Sequence, residues 1–205
     1  MLIYKGNTSA PMMYQNGVPI WDFKRHEEVY YMMSDGNEVF EPIMSINSTN
    51  VVIEFDLVPG NYTGDIYVGA VRKNDEWYFE TSMRWFAVND NWVLFDAGNG
   101  RTDTNIYIDL THKYHVVTSK IGDQCSCVVT DLDTGVVVWS PSYENGNYVN
   151  NDLEVRSGYD TKLYNLKVTI DNNVVIDAVA TANGLYNSVS HSIIPLNHFT
   201  PVKEG

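Results

Sequence analysis

Positive charge is scarce in this chain of 205 residues, where 13 Lys plus Arg stand against 26 Asp plus Glu for a formal net charge of -13. Binding to the phosphate backbone of nucleic acid is driven by clustered cations, and anionic membrane surfaces attract the same groups. Neither partner is expected. Long hydrophobic runs are missing too: no stretch approaches the roughly 18 apolar residues of a transmembrane helix, so no membrane insertion is expected. Cysteine is confined to Cys125 and Cys127, too few for a zinc site. On one strand these two share a face with Cα atoms about 6.5–7 Å apart, at the limit of disulfide geometry, and they read as small buried thiols. The opening Met1-Leu2-Ile3-Tyr4-Lys5-Gly6 lacks the charged start and apolar middle of a secretion signal, so a cytoplasm is the expected place of folding.

Catalytic signatures are equally thin. There is no Gly-x-Ser-x-Gly elbow and no phosphate-cradling glycine loop. The five histidines, His26, His112, His115, His191 and His198, are scattered and read as solvated or core side chains. A retaining glycoside hydrolase needs two carboxylates about 5–5.5 Å apart, one a nucleophile and one an acid. Glu54-Phe55-Asp56 begins such a pattern but continues Leu57-Val58-Pro59, without the second Glu. Glu54 and Asp56 therefore read as the wet side of an edge or outer-sheet strand. Asp131-Leu132-Asp133-Thr134-Gly135 has the opening spacing of a calcium loop, yet the next carboxylate, Glu144, lies beyond an apolar strand. The run reads as a hairpin turn, with a cross-strand Ca²⁺ site as the minor alternative. No enzyme activity, metal or cofactor is expected.

What the chain does hold is strand material. Hydrophobic residues make up 44% and aromatic residues 13%, with 14 Tyr, enough apolar content for a core. No amphipathic helix longer than about two turns is found, whereas alternating runs broken by Asx-Gly punctuation recur. Short strands are expected at residues 2–4 and 12–14, then at 18–20 after the two-residue turn Asn16-Gly17. A second hairpin is expected where Ser34-Asp35-Gly36-Asn37 separates 28–33 from 38–40. Residues 1–44 are poor in aliphatic side chains and read as a connector or attachment arm, or as an edge contribution to the body. From residue 45 strands are expected at 51–57, 65–71, 77–85, 92–95, 105–109, 114–119, 126–131, 136–139, 153–157, 163–170 and 174–178. Such spacing, near ten residues, is that of a two-sheet antiparallel sandwich occupying residues 45–205. Asp133-Thr134-Gly135 and Asp171-Asn172-Asn173 supply hairpin turns.

Aromatic residues are the remaining chemical signal. Trp77, Trp85 and Trp139 read as inter-sheet core. Tyr143 and Tyr148 sit with Asn145 in the polar stretch 140–151, and Tyr159 follows shortly after. Tyrosines beside amides present flat faces and hydrogen-bonding groups to a sugar, or pack a subunit interface, or simply pack the loop. Tyr143, Asn145, Tyr148 and Tyr159 are the candidate ligand-binding residues.

The segments Lys162-Leu163-Tyr164-Asn165-Leu166-Lys167-Val168, Asp171-Asn172-Asn173-Val174-Val175-Ile176-Asp177 and Asn183-Gly184-Leu185-Tyr186-Asn187-Ser188-Val189 follow one another in a strand, turn, strand, loop order. This ending resembles that of concanavalin A-like (laminin-G-like) jelly-roll domains of bacteriophage virion and fibre proteins. Residues 106–116 and 127–139 are similar to earlier parts of those domains, so the resemblance spans about residues 45–195. Asn187 stands where the family often has Asp. The opening Met13-Tyr14-Gln15-Asn16-Gly17-Val18-Pro19-Ile20 is similar to a hairpin that precedes the lectin-like domain in phage fibre proteins. The resemblance implies a jelly-roll sandwich with a short N-terminal β-hairpin connector. It also implies a non-enzymatic structural or adhesive component of a tailed-phage virion, of the head-fibre, capsid-decoration or tail-fibre type. Its location would be the virion, assembled in the bacterial host cytoplasm. Its partners would be other virion proteins, reached through residues 1–44, further copies of itself in a homo-oligomer, and a host-surface glycan. The alternative from another class is a glycan-binding module, a lectin, of a gut bacterial surface or secreted protein.

Overall fold

The structure, a computed structural model, describes residues 13–15, 18–20, 28–36, 39–60, 65–70, 85–86, 92–96, 101–139, 142–144 and 151–205, with side chains for 28–36, 41–60, 108–138, 142 and 152–205. Every regular element among the described residues is a β-strand. In chain order these are β1 (Met13–Gln15), β2 (Val18–Ile20), β3 (Tyr30–Ser34), β4 (Val39–Ile46), β5 (Asn50–Val58), β6 (Asp65–Ala70) and β7 (Trp85–Phe86). They continue with β8 (Trp92–Asp96), β9 (Arg101–Tyr107), β10 (Tyr114–Ile121), β11 (Gln124–Asp131), β12 (Val136–Trp139) and β13 (Ser142–Glu144). The last six are β14 (Asn151–Ser157), β15 (Lys162–Ile170), β16 (Asn173–Thr181), β17 (Gly184–Asn187), β18 (Ser192–Ile194) and β19 (Phe199–Lys203).

All pairings among the described strands are antiparallel, and they build a large sheet in the order β12-β11-β10-β5-β15-β16-β17-β18. Strand β13 also pairs with β11, and β3 joins β15 on one side and β19 on the other. A smaller sheet runs β4-β14-β6-β7, β8 pairs with β9, and β1 pairs with β2. The two main sheets face each other across one apolar cluster. Ile53, Phe55 and Leu57 of β5, Val116 of β10, Val129 of β11, and Leu166 and Val168 of β15 meet Ile46 of β4 and Leu153 and Val155 of β14. The architecture is an all-β, two-sheet antiparallel sandwich, as the strand spacing predicts.

Local chemistry explains the register. β1 pairs with β2 antiparallel, with Gln15 opposite Val18, whereas the expected turn at residues 16–17 lies outside the described residues. Asp171 (φ 49) and Asn172 (φ 64) form the two-residue turn between Ile170 and Asn173. Two successive left-handed residues are what a type I′ turn needs, and Asx side chains tolerate that region. Gly135 (φ 73) closes the β11–β12 hairpin. Cys125 and Cys127 both lie on the inward face of β11, outside any disulfide and each 1% exposed, and burial holds the Cys127 thiol well above its ordinary range.

Two expectations need correction. Strands β3 and β4 do not form a hairpin across Ser34-Asp35-Gly36-Asn37, because β3 pairs with β15 and β19 whereas β4 pairs with β14 in the other sheet. The Ser34 and Asp35 amides donate instead to the carbonyls of Thr161 and His198. Furthermore, a boundary between residues 44 and 45 cuts through β4. Met32 of β3 is 3% exposed within the common core, so residues 28–44 contribute strands to the sandwich. Glu41 fastens this segment by accepting from the His198 amide at 2.7 Å and from Asn197 Nδ2 at 3.4 Å.

Candidate functional site

A strand with one buried face must alternate, and the three central strands of the large sheet do so along most of their length, β15 from Asn165 onward. On β5, Ile53, Phe55 and Leu57 point inward, leaving Val52, Glu54 and Asp56 half-buried on the outer face. On β10 the inward set is Tyr114, Val116 and Thr118, with His115, Val117 and Ser119 outside. Strand β15 presents Asn165, Lys167 and Thr169.

The register aligns these outward residues into rows. One row crosses the sheet from Val137 of β12 through Thr130, His115, Asp56, Asn165, Val179 and Tyr186 to Ile193 of β18. Its centre is cross-linked. His115 Nδ1 donates to Asp56 Oδ1 at 2.7 Å, a direction fixed because the carboxylate only accepts. Asn165 Nδ2 donates to Asp56 Oδ2 at 2.7 Å, and the Asp56 amide returns a bond to Asn165 Oδ1 at 2.9 Å. His115 and Asp56 keep 37% and 20% of their side-chain surface open to solvent, so these polar groups are fixed and yet reachable. Toward its ends the row turns apolar: Val137, Val179 and Ile193 are exposed, with Tyr186 half-buried between the last two. One row along, Lys167 Nζ lies 3.2 Å from Glu54 Oε1.

On the other side of the His115 row the face ends in a pocket of about 430 Å³. Lys113, Val58 and Lys162 continue the outward positions of β10, β5 and β15, and Leu132, Asp133, Thr111, Tyr164 and Glu204 complete the lining. Tyr164 reaches it through a bulge. Leu163 pairs with Leu57 and Asn165 with Asp56, which leaves Tyr164 as the extra residue. Its hydroxyl donates to Glu204 Oε1 at 2.8 Å, and burial first, then that carboxylate, raises its pKa. Lys113 Nζ stands 3.5 Å from the centre of the Tyr164 ring, and Lys162 Nζ 4.8 Å from that of Tyr31, the two rings being 5.5 Å apart.

Beside the pocket, ligand atoms of His112, Asp131 and Asp133 gather within 4.8 Å of one another, a set with the donors a divalent cation uses. The same atoms serve the turn. Asp131 Oδ1 accepts from the amides of Asp133 and Thr134, and Asp131 Oδ2 accepts from His112 Nδ1 at 2.9 Å. Asp133 Oδ2 takes the Lys113 amide at 2.7 Å. This is the hairpin turn that the Asp-x-Asp-x-Gly spacing predicts. The Asp131 bond, opposed by desolvation, raises the His112 pKa above 6.5. For Asp131, burial pulls upward, but the bonds from His112, Thr134 and Asp133 outweigh it and keep its pKa below 3.8.

Of the candidates named from sequence, Tyr159 lies exposed in the turn between β14 and β15, beside Gly60, whose φ of +78 would bring a Cβ to 2.7 Å from the Asp160 carbonyl. Tyr143 belongs to strand β13, opposite Cys125 on β11, rather than to a long loop. The side chain of Tyr143, both Asn145 and Tyr148, and the core expectations for Trp77, Trp85 and Trp139 lie outside what the structure describes. Sequence reasoning missed Asn165, His115 and the two pocket lysines. The alternation of Glu54 and Asp56 gave the outward direction, but β5 is a central strand, not an edge.

No family model matches the chain, and no curated protein matches it. Among solved structures, the chain is similar to the Caenorhabditis elegans galectin LEC-6, with 14% identity, TM-score 0.45, and coverage of 68% of this chain and 95% of that one. It is similar to lactose- and MES-liganded congerin II, with 7% identity, TM-score 0.41, and coverage of 64% and 99%. It is also similar to the CBM2 module of the evolved Dit of Lactobacillus casei BL23 phage J-1, with 15% identity, TM-score 0.40, and 76% of each chain covered.

Proposed function

We propose that the chain is a non-enzymatic adhesive module that holds a glycan on the outer face of its large sheet and serves as a structural component of a tailed-phage virion. The observation that carries the glycan reading is the row His115–Asp56–Asn165. Each sugar hydroxyl both donates and accepts, so its recognition needs donors and acceptors held at fixed spacing on an open surface, with apolar flanks for the ring faces. Strands lie about 4.8 Å apart, so three of them place the triad along about 10 Å, comparable with a short saccharide. Because the three side chains already brace one another, little rotamer freedom is lost when a ligand docks.

The same geometry favours holding over cleaving. Glu54 and Asp56 share the outer face, but Glu54 faces Lys167 and Asp56 is bonded on both oxygens. The next outward position is Val58, where a second Glu would have to stand for the acid–nucleophile pair of a retaining hydrolase.

The virion part rests on the resemblance of residues 162–189 and 13–20 to phage proteins. Attachment is assigned to residues 1–27, because 28–44 contribute strands to the sandwich. Homo-oligomers would multiply weak contacts by valency. A glycan array tests the glycan reading: it should give binding that Asp56→Ala and Asn165→Ala each abolish in folded protein. Full binding by both variants, or none by the wild type, overturns it. Labelling of intact particles with antibody to the chain tests the virion reading, and particles left unlabelled would favour the bacterial surface or secreted lectin.

A further inference from the structure

Two cations stand together in a chain whose net charge is -13. Lys113 and Lys162 line the pocket at the end of the outer face, and neither makes an ion pair among the described residues. Both ammonium groups lie over ring faces, Lys113 on Tyr164 and Lys162 on Tyr31. A ring quadrupole holds a cation in place without using its hydrogen-bond donors on an oxygen. The two carboxylates of the pocket are engaged elsewhere. Glu204 takes the Tyr164 hydroxyl and Asp133 takes the Lys113 backbone amide. Both lysine ammonium groups thus stand at the pocket wall, held by ring faces and not by a carboxylate ion pair among the described residues.

The pocket also continues the polar row. Lys113 lies two residues from His115 on β10, and Lys162 lies opposite Val58 on β5, two residues from Asp56. Successive outward positions on a strand lie about 6.5–7 Å apart, so a saccharide on the triad would bring a ring substituent into the pocket.

We propose that this pocket binds the anionic group of an acidic saccharide, a carboxylate or a phosphate, with the ammonium groups of Lys113 and Lys162 as its donors and Val58 as its floor. The inference rests on the glycan reading of the same face and narrows it to an acidic ligand. An anion at this point converts two ring-held cations into charge-assisted partners, a stronger class of hydrogen bond than a neutral one.

Titration of the full chain with glucuronate, glucose and inorganic phosphate, followed by NMR shifts and calorimetry, tests it. Glucuronate or phosphate should bind at least about tenfold more tightly than glucose, and binding should weaken as salt rises. The double variant Lys113→Met/Lys162→Met should lose that preference, whereas Lys113→Arg/Lys162→Arg should retain most of it. Both variants are checked for an unchanged unfolding midpoint, and single Lys162→Met protein replaces the double variant should the latter not fold. Glucuronate binding with phosphate idle assigns a sugar acid, and the converse assigns a phosphorylated glycan. Equal binding of glucose and glucuronate overturns the acidic pocket and leaves the glycan face standing. Acid binding that Asp56→Ala leaves unchanged keeps the pocket and removes the glycan face. Absence of all binding overturns both.

Discussion

The two faces of β5, β10 and β15 use alternating residues of the same strands, yet they are held together by different physics. The inner face carries Ile53, Phe55, Val116 and Leu166, each 0% exposed, and is stabilised by the area removed from water and by close packing. The outer face carries Asp56, His115, Asn165, Glu54 and Lys167, joined by directional contacts at the edge of solvent. Packing tolerates little change of volume, whereas polar contacts near water contribute modestly because water competes for the same groups. Stability should therefore depend mainly on one face, and the proposed recognition on the other.

The largest break in that contrast is Phe55→Ala. It removes a fully buried ring from the centre of the core and should cost about 3–5 kcal/mol in denaturant unfolding. A loss below about 1 kcal/mol would mean that the sheets are not packed as described. Next, Asp56→Ala removes the acceptor of both His115 and Asn165 and should cost about 1–2 kcal/mol while eliminating the glycan binding proposed for this face. Destabilisation as large as that of Phe55→Ala would contradict the separation of the two faces.

A smaller effect is set by pH. His112 has a raised pKa in the folded chain, so its contribution to stability is complete below 6.5 and is lost as pH rises through the raised folded value. Asp131 has a lowered pKa, so its contribution is present above 3.8 and is lost as pH falls through the lowered folded value. The pair stabilises most fully between those two ordinary values. In an NMR titration, Asp131→Asn should return the His112 pKa toward 6.5, and an unchanged His112 would refute the assigned cause. The smallest effect belongs to Lys167→Met. The Lys167 and Glu54 side chains are 43% and 30% exposed, and losing so open a pair should change stability by less than about 0.5 kcal/mol.

These particulars show which parts of the molecule were legible in one dimension. The inward set Ile53, Phe55 and Leu57, the shared face of Cys125 and Cys127, and the turn Asp171-Asn172 are all encoded within a few residues. Local chemistry suffices to read them. Strands β3 and β19 take their places from partners far along the chain. The run Met32-Met33-Ser34-Asp35-Gly36 reads as half a hairpin because nothing nearby says that Thr161 and His198 will accept its amides. The outer-face row depends on register across eight strands: His115 and Asp56 are separated by 59 positions and Asn165 and Asp56 by 109. No spacing rule connects them. Tyr164 was hidden for another reason, since a bulge shifts the alternation by which strand faces are read.

That bulge sets how the protein is free to change. Leu163 and Asn165 already occupy consecutive rungs against Leu57 and Asp56, so Tyr164 amounts to a one-residue insertion that leaves the pattern beneath it in phase. Deleting it would heal the ladder, and replacing it would alter the pocket wall without shifting Leu166 or Val168 out of the core. The chain thus has, at the margin of its outer face, a position where the shape and chemistry of the proposed binding pocket could drift across generations while the sandwich below stays the same.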